Sequence, residues 1–237
     1  MNTAAFIFTG ELNDLLARDQ RGREVILTFA SHQTVKHLIE ALGVPHVEIG
    51  SITADGRPVE ENYRPYDGDR IEVRPAADRQ PEPRFLLDSH LGRLAAYLRM
   101  LGFDCLYENT FSDEQIAGLL ANDPRILLTR DRRLLMRKVV RFGYCLRSLE
   151  PQEQLREVVR RFDLQALAQP FHRCLHCNHA LERVDKGAVL DRLEPKTKLY
   201  YNEFVRCPAC GKVYWKGSHY ERMQAIVDEI LQEGEGR

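Results

Sequence analysis

Four of the six cysteines stand in two closely spaced pairs in the last third of the chain. The tetrapeptide CLHC holds Cys174 and Cys177, and CPAC holds Cys207 and Cys210. A C-x2-C turn lets both of its sulfurs reach one ion, and two such turns complete a tetrahedral site. The pattern predicts one zinc ion held by four thiolates. Because no position is left for water, this zinc is expected to be structural.

The same region leaves two alternatives open. An iron–sulfur cluster also takes four thiolates, and three nearby histidines offer ligands of another kind: His172, His176 and His179. Paired C-x2-C turns favour zinc, however, and four cysteines already fill its coordination shell. The two remaining thiols, Cys105 and Cys145, lie in apolar segments and are expected to be small buried side chains.

Acidic residues follow each of four strands predicted in the middle of the chain. They are Asp88 after RFLL, Asp113 and Glu114 after FDCLYE, Asp131 after RILLT, and Glu150 after YCLRS. The carboxyl ends of parallel strands meet at the ligand-binding edge of a sheet. Carboxylates gathered there repel one another and raise each other's pKa unless a cation neutralises them. Such oxygen ligands suit Mg²⁺ or Mn²⁺, which activate water for phosphodiester hydrolysis.

Taken singly, each of these acids has a simpler explanation. Asp and Ser are frequent at helix N-termini, where they accept hydrogen bonds from free backbone N–H groups, and Asp113 directly follows Ser112. Four acids after four successive strands are harder to attribute to capping alone. From these residues, a catalytic metal site and a set of helix caps both remain open.

Basic side chains flank the predicted acidic site. Those within about a turn of an acid are Arg93, Arg130, Arg132 and Arg133. Because guanidinium groups bind phosphate oxygens, these four are predicted contacts for the phosphates of a nucleic-acid substrate. The alternative is a solvated basic helix face, to which we assign Arg137, Lys138 and Arg141.

Strands and helices alternate through the same middle segment. Its apolar strands are separated by the helical stretches HLGRLAAYLRMLG, SDEQIAGLLA and DRRLLMRKVVRFG, and PQEQLREVVRRF follows the last strand. Alternation of this kind predicts an α/β fold, with a parallel sheet flanked by helices.

The first part of the chain has a different pattern. Short β-prone runs surround one helix, TVKHLIEALG, and an Asp-Gly turn precedes the closing strand DRIEV. This is a β-grasp pattern, and its ending looks like that of the ubiquitin-like sulfur carriers. Sulfur carriers end in a free Gly-Gly tail, whereas this strand continues into Pro75. We therefore expect no carrier chemistry and an interaction or substrate-presenting role for the domain.

A proline-rich stretch and changes in composition along the chain predict the domain boundaries. These are a β-grasp domain at 1–75, a linker at 76–84, an α/β domain at 85–169 and a zinc ribbon with a C-terminal helix at 170–237. A linker of this composition predicts few contacts across it, so the later domains are expected to fold without residues 1–80.

Three motifs in the middle of the chain resemble the mutator-seven C-terminal RNase family, a branch of the PIN-like nucleases. They are RFLLDSHLGRLAAYLRMLGFD, FSDEQI and ILLTRDRRLL. The resemblance covers roughly residues 84–220, and bacterial members often carry an N-terminal ubiquitin-like domain. It implies RNA cleavage by metal-activated water and maps the family's acidic site onto Asp88, Asp113 and Asp131. Glu114 and Glu150 are further candidates for that site.

The stretch KVYWKGSHYERM after the second cysteine pair also resembles the family. Its aromatic and basic residues predict RNA contacts at Lys216 and His219. The alternative is that Tyr214 and Trp215 pack the ribbon onto its neighbours. His219 is a further candidate for proton transfer.

Composition limits the classes of protein to consider. The chain is 43% hydrophobic and 29% charged with a net charge of −1, which is ordinary for a globular protein. No run approaches the roughly 18 apolar residues of a membrane span, and the N-terminal stretch lacks the basic leader of a signal peptide. We expect a cytoplasmic ribonuclease whose partner is RNA. The rival interpretations are a non-catalytic RNA- or ribosome-binding module and a protein adaptor that acts through the β-grasp domain.

Overall fold

The computed structural model of the chain describes residues 1–76 and 82–232. Residues 77–81 of the predicted linker lie outside this range. The chain divides into two compact units, Met1–Glu82 with Phe111–Arg147 and Pro83–Thr110 with Ser148–Arg237.

The secondary structure is mixed, as predicted. The strands are β1 (Asn2–Phe8), β2 (Val25–Phe29), β3 (Ile49–Ala54), β4 (Arg57–Val59), β5 (Arg70–Pro75), β6 (Arg84–Leu87), β7 (Asp104–Leu106), β8 (Ile126–Thr129), β9 (Phe142–Cys145), β10 (Glu182–Val184), β11 (Phe204–Arg206) and β12 (Val213–Tyr214). The α-helices are α1 (Val35–Ala41), α2 (Gly92–Met100), α3 (Asp113–Asn122), α4 (Arg132–Leu135), α5 (Pro151–Arg161), α6 (Pro195–Tyr200) and α7 (Ser218–Gln232). Short 3-10 helices span Gly10–Leu15, His46–Glu48, Gln165–Leu167 and Lys186–Arg192.

The N-terminal part of the first unit has the predicted β-grasp arrangement. Its five strands are hydrogen-bonded in the order β2-β1-β5-β3-β4, with β1 and β5 parallel. Helix α1 follows its N-cap residue Thr34, whose hydroxyl accepts a hydrogen bond from the His37 N–H at 3.3 Å. The chain leaves the helix at Gly43, whose φ of 90° favours glycine.

The rest of the first unit contains α3, β8, α4 and β9. Strands β8 and β9 are parallel, with Ile126 opposite Phe142 and Thr129 opposite Cys145. All four residues of β8 are buried, as expected for a parallel strand that is covered on both faces. Ser112 caps α3 in a capping box, in which the Gln115 side chain accepts from the Ser112 N–H.

Helix α4 is much shorter than the predicted basic helix. It ends at Leu135 and continues only as turns. The turns bury Val140 and direct its carbonyl oxygen to the imidazole of His46, with Nε2 at 3.1 Å. Tertiary contact therefore ends the helix before the two valines, whose helix propensity is low.

The expectation of few contacts between the β-grasp domain and the rest of the chain is wrong for residues 111–147. The buried Glu48 carboxylate accepts a hydrogen bond from the Cys145 N–H at 2.6 Å and pairs with Arg147. The Arg132 guanidinium also donates to the Leu15 carbonyl. Within the first unit, the β-grasp domain is part of the same packed structure as β9.

The second unit contains the parallel pair β6 and β7, with Phe85 opposite Cys105. Helices α2 and α5 pack against each other in this unit. The ring of Phe85 makes edge contacts with Phe103 and Phe162, at centroid distances of 6.1 and 5.9 Å. Through these aromatic contacts, β6 packs against the rest of the second unit.

The C-terminal part of the second unit is a small antiparallel sheet in the order β10-β11-β12. The segment between the cysteine pairs contains β10, a 3-10 helix and α6 before β11. A small apolar core forms where Val189 and Leu193 from this insertion pack with Phe204. None of the helices in residues 1–76 and 82–232 combines the length and apolar character that a membrane span requires.

Candidate functional site

The four paired cysteines come together in the second unit. Their sulfur atoms all lie within 4.8 Å of one another. The Cys174 and Cys210 sulfurs are 3.6 Å apart, and those of Cys177 and Cys207 are 3.3 Å apart. Zinc–sulfur bonds of about 2.3 Å in a tetrahedron require sulfurs roughly 3.8 Å apart. The cluster is therefore compatible with zinc binding.

The two C-x2-C turns have the same backbone geometry. The Cys174 carbonyl accepts from the N–H four residues later at 3.0 Å, and that of Cys207 does the same at 2.9 Å. The residue that follows each pair, Asn178 or Gly211, has a φ of 71° or 74°. Asparagine and glycine tolerate this left-handed conformation best, so the local sequence favours both turns.

Tyr214 supports the cluster from β12. Its hydroxyl lies 3.1 Å from the Cys174 sulfur. Burial opposes ionisation of Cys174, but donation from Tyr214 and from the backbone at Cys177 and His176 outweighs it and lowers the pKa of this thiol to about 6. Burial raises the pKa of Cys177 to about 12, although the His179 backbone opposes the rise, and the neighbouring sulfurs add to it. Ionised thiolates that lie this close together repel one another, and a divalent cation bound between them removes the repulsion. Four crowded thiols therefore suit a metal ion.

A buried arginine connects the first cysteine turn to the α/β part of the second unit. Arg99 on α2 is 4% exposed, and its guanidinium donates to the carbonyls of Leu175 and His176 at 3.2 and 2.8 Å. The same group donates to the Cys105 carbonyl on β7 at 3.0 and 2.9 Å. The Asn178 side chain adds a bond from the Cys105 N–H at 3.0 Å. The cysteine turn is thus fixed to β7, the partner of β6.

Two of the predicted acids lie in the second unit. Asp88 directly follows β6 and is half-buried, and its Oδ1 accepts from the Ser89 N–H at 2.6 Å. Glu150 is the N-cap residue of α5, but its exposed side chain makes no capping bond. The capping explanation therefore does not account for the Glu150 carboxylate.

Asp113 and Glu114 lie at the start of α3 in the first unit and share one arginine. The Arg137 guanidinium is 3.3 Å from Asp113 Oδ2 and 3.2 Å from Glu114 Oε1. Arg137 was assigned to a solvated helix face. The long Arg137 side chain instead bridges the two carboxylates, and no pattern within either segment indicated this pairing.

Asp131 is the exposed N-cap of α4. Its Oδ1 accepts from the Arg133 N–H at 2.8 Å, and its own N–H donates to the Thr129 hydroxyl at 2.9 Å. Among the residues that the structure describes, Asp131 Oδ2 makes no hydrogen bond. Capping thus uses one oxygen of Asp131 and leaves the other available to a ligand.

The predicted RNA contacts differ in their surroundings. Arg93, Arg130 and Arg133 are exposed, whereas Arg132 is partly buried and donates to the Leu15 carbonyl. Lys216 is exposed beside Glu203, with Nζ 3.8 Å from the carboxylate, and His219 is exposed at the start of α7. The geometry favours the three exposed arginines over Arg132 for a phosphate contact.

Two sequence families match the chain. Residues 1–81 match the Mut7-C ubiquitin family, and residues 83–227 match the Mut7-C RNAse domain. The chain belongs to the Mut7-C RNAse family. The resemblance identified from the motifs is thereby confirmed, and the β-grasp domain is the ubiquitin-like domain of the Mut7-C architecture. No curated protein and no solved structure gives a significant match to the chain.

Proposed function

We propose that this Mut7-C chain hydrolyses RNA phosphodiester bonds at an acidic site that holds Mg²⁺ or Mn²⁺. The match of residues 83–227 to the Mut7-C RNAse domain is the observation that carries the proposal. Asp88, Asp113 and Asp131 are the proposed metal ligands, with Glu114 and Glu150 as additional acids. When bound, the ion supplies an activated water and stabilises the leaving oxygen.

The immediate surroundings of the acids support this assignment. Asp131 keeps one carboxylate oxygen free of hydrogen bonds among the described residues, and Glu150 makes no capping bond. Arg137 offsets part of the negative charge of Asp113 and Glu114. The Arg137 side chain is 35% exposed, and a carboxylate in such a partly solvated pair can exchange its partner for a cation, because ion pairs near the surface contribute only about 0–1 kcal/mol.

Exposed arginines near these acids are proposed to hold the RNA backbone. Arg130 and Arg133 flank Asp131, and Arg93 lies five residues beyond Asp88 on α2. Phosphate contacts of this kind position the substrate without selecting a base. The proposal therefore names RNA as the substrate class and no sequence preference. A cytoplasmic location remains a prediction from sequence.

We also propose that the cysteine cluster holds one structural zinc ion that stabilises the C-terminal part of the second unit. Elemental analysis of the full chain should give one zinc per chain. Cys207→Ser should lose the metal, whereas His172→Ala should keep it, because the four sulfurs already surround one point. Iron in place of zinc, or a metal content that Cys207→Ser leaves unchanged, would contradict this assignment.

The catalytic proposal is tested by cleavage of a mixed RNA substrate with and without added Mg²⁺ or Mn²⁺. The wild type is compared with Asp88→Asn and Asp131→Asn, which keep size and remove charge, and with Asp191→Asn as a matched exposed control. We expect a loss of about 100-fold or more in the first two variants, since water activation and charge stabilisation both depend on the ion. Asp191→Asn should cleave normally.

The rival function is a non-catalytic RNA-binding module. It predicts RNA binding without cleavage under every metal condition, and equal behaviour of Asp131→Asn and the wild type. Cleavage that survives both substitutions would place the chemistry elsewhere in the chain. Circular dichroism and zinc content verify that each variant is folded.

A further inference from the structure

A cleft in the second unit lies beside the small antiparallel sheet. Its volume is about 700 Å³, and residues between Pro170 and Met223 form its walls. A volume of this size is typical of ligand-binding clefts. It lies apart in sequence from all five proposed catalytic acids, none of which lines it.

Aromatic side chains form one part of the wall. The rings of Phe171 and Tyr220 are in contact, with a centroid distance of 4.6 Å. Trp215 packs its ring near Tyr201 and Phe204, at 6.5 and 6.4 Å, and remains 36% exposed. A partly exposed indole supported by two other rings is a rigid surface on which a planar group can stack.

Phe171 has an unusual backbone conformation for its residue type. Its φ is 62°, in the left-handed region that bulky residues rarely adopt. The surrounding bonds hold it there, because its N–H donates to the Met100 carbonyl at 2.8 Å. The chain thus directs an aromatic side chain into the cleft against a local conformational preference.

Basic side chains form another part of the wall. Arg183 and Lys216 are exposed and Lys186 is partly buried, and the acids that share the lining are Asp185 and Glu203. Lys186 Nζ donates to the amide oxygen of Asn202, and Lys216 Nζ lies 6.0 Å from the Tyr220 ring centroid. The lining also includes Arg173, whose guanidinium binds the backbone carbonyls of Gly102 and Asn178. Positive charge exceeds negative charge along this wall.

We propose that this cleft binds a segment of single-stranded RNA, with a base stacked on Trp215 and phosphates held by Lys216, Lys186 and Arg183. The proposal rests on RNA being the substrate class of the proposed nuclease. Stacking on aromatic rings combined with a positive groove is how proteins hold single strands without reading sequence. A duplex keeps its bases stacked inside the helix and cannot present one to Trp215.

The cleft would therefore act as a substrate-holding site separate from the acids. It binds unpaired RNA and keeps the substrate on the chain. The sequence pattern singled out the segment of Trp215 and Lys216 but not Phe171 or Lys186, which come from segments on either side of the first cysteine pair. The chain fold brings them together.

Trp215 is the only tryptophan in the chain, so its fluorescence reports on this cleft alone. The full chain carrying Asp131→Asn is titrated with single-stranded oligouridylate, the matching deoxyoligonucleotide and a blunt RNA duplex. We expect the single-stranded RNA to quench the fluorescence in a saturable manner and the duplex to have no effect. Equal quenching by the deoxyoligonucleotide would extend the ligand class to single strands in general. Saturable RNA binding without quenching would overturn the proposal.

Affinity is then measured by fluorescence anisotropy of labelled RNA. Trp215→Ala should weaken binding about tenfold, as expected when one stacked base loses its support. Lys216→Ala should weaken binding and make the plot of log affinity against log salt shallower by about 0.7, because one phosphate is no longer neutralised. Lys198→Ala on α6 removes the same charge outside the cleft and should bind normally.

Trp215 also packs against Phe204, so zinc content and thermal unfolding are checked for Trp215→Ala. If that variant unfolds, the comparison of Lys216→Ala with Lys198→Ala decides whether the cleft binds RNA. Equal affinity of those two variants and the parent would exclude this cleft. Failure of the proposed catalysis would leave RNA binding and its weakening in the cleft variants intact, so the two outcomes are distinguishable.

Discussion

The carboxylate of Glu48 and the guanidinium of Arg147 form a two-pronged ion pair inside the first unit. The distances are 2.9 Å between Arg147 Nη1 and Glu48 Oε1 and 3.1 Å between Nη2 and Oε2. The Glu48 side chain is 1% exposed and that of Arg147 is 18% exposed. Burial lowers the pKa of Arg147, but bonding to Glu48 outweighs it and the pKa is raised, so the guanidinium stays charged.

This ion pair makes the β-grasp domain part of the structure around β9. We predict that Glu48→Ala lowers the free energy of unfolding by about 3–5 kcal/mol, because it leaves the Arg147 charge buried without its partner. It also leaves the Cys145 N–H without an acceptor. Denaturant unfolding of the full chain measures the change.

The double variant Glu48→Leu with Arg147→Met is the matched control. Removing both charges should cost less than Glu48→Ala alone, since replacing a buried pair by apolar groups is often neutral. Deletion of residues 1–80 removes the 3-10 helix His46–Glu48 that contacts β9, so it should uncover the buried residues Tyr144 and Leu146 and yield an aggregating protein. A stable, soluble product from that deletion would show that the pair has no structural role.

Local signals in the sequence predicted the local features of the fold well. Thr34 and Ser112 cap α1 and α3 because a short polar side chain reaches the nearest free N–H groups, and this depends on neighbouring residues only. The cysteine cluster was predictable for a similar reason. Each C-x2-C turn is a local unit, and a metal ion bound by two such units would require them to meet.

Features that depend on distant residues were missed. The Glu48 to Arg147 pair spans 99 residues, and Arg99 reaches His176 across 77. Nothing in the composition of either segment specifies such partners. The same limit applies to Arg137, which looked like a surface residue because its partners lie in another element.

Arg99 should couple zinc binding to the α/β part of the second unit. We predict that Arg99→Lys destabilises the fold by about 2–4 kcal/mol. The compact ammonium group of lysine cannot donate to the carbonyls of Cys105, Leu175 and His176 at once, as the planar guanidinium does. Its zinc should also dissociate faster in the presence of a chelator. Arg93→Lys on the exposed face of α2 is the control, and equal stability of the two variants would show that the buried contacts contribute little.

Arg137 should help to lower the pKa of Glu114. The pKa of Glu114 lies below its ordinary value of 4.5, first because its own backbone N–H bonds the carboxylate and then because Arg137 does. Because the pKa of Glu114 is lowered in the folded protein, its ionised carboxylate stabilises the fold at pH values above 4.5. This contribution disappears as the pH falls through the pKa that Glu114 has in the folded state. We predict that Arg137→Met raises the pKa of Glu114 part of the way back, measured by carboxyl carbon NMR. Arg141→Met should leave it unchanged, and an unaltered value in Arg137→Met would exclude the contact.

The last prediction concerns whether the acids share one ion. Fe²⁺ commonly replaces Mg²⁺ at oxygen sites, and with ascorbate and peroxide it produces hydroxyl radicals that cut the backbone close to the bound ion. If Asp88, Asp113 and Asp131 share an ion, cuts should map to all three segments, although Asp88 belongs to one compact unit and the other two acids to the other. Excess Mg²⁺ should suppress all cuts together.

Single substitutions make this test specific. Asp131→Asn should abolish the cuts near Asp88 as well as those near residue 131, because removal of one charge weakens the ion's attachment to every ligand. Asp191→Asn should leave the pattern unchanged. Cuts confined to one segment, or cuts near Asp88 that persist in Asp131→Asn, would show that these acids do not act on one ion. In that case Asp131 would act as a helix cap that accepts from the Arg133 N–H, and Asp113 would act as the ion-pair partner of Arg137.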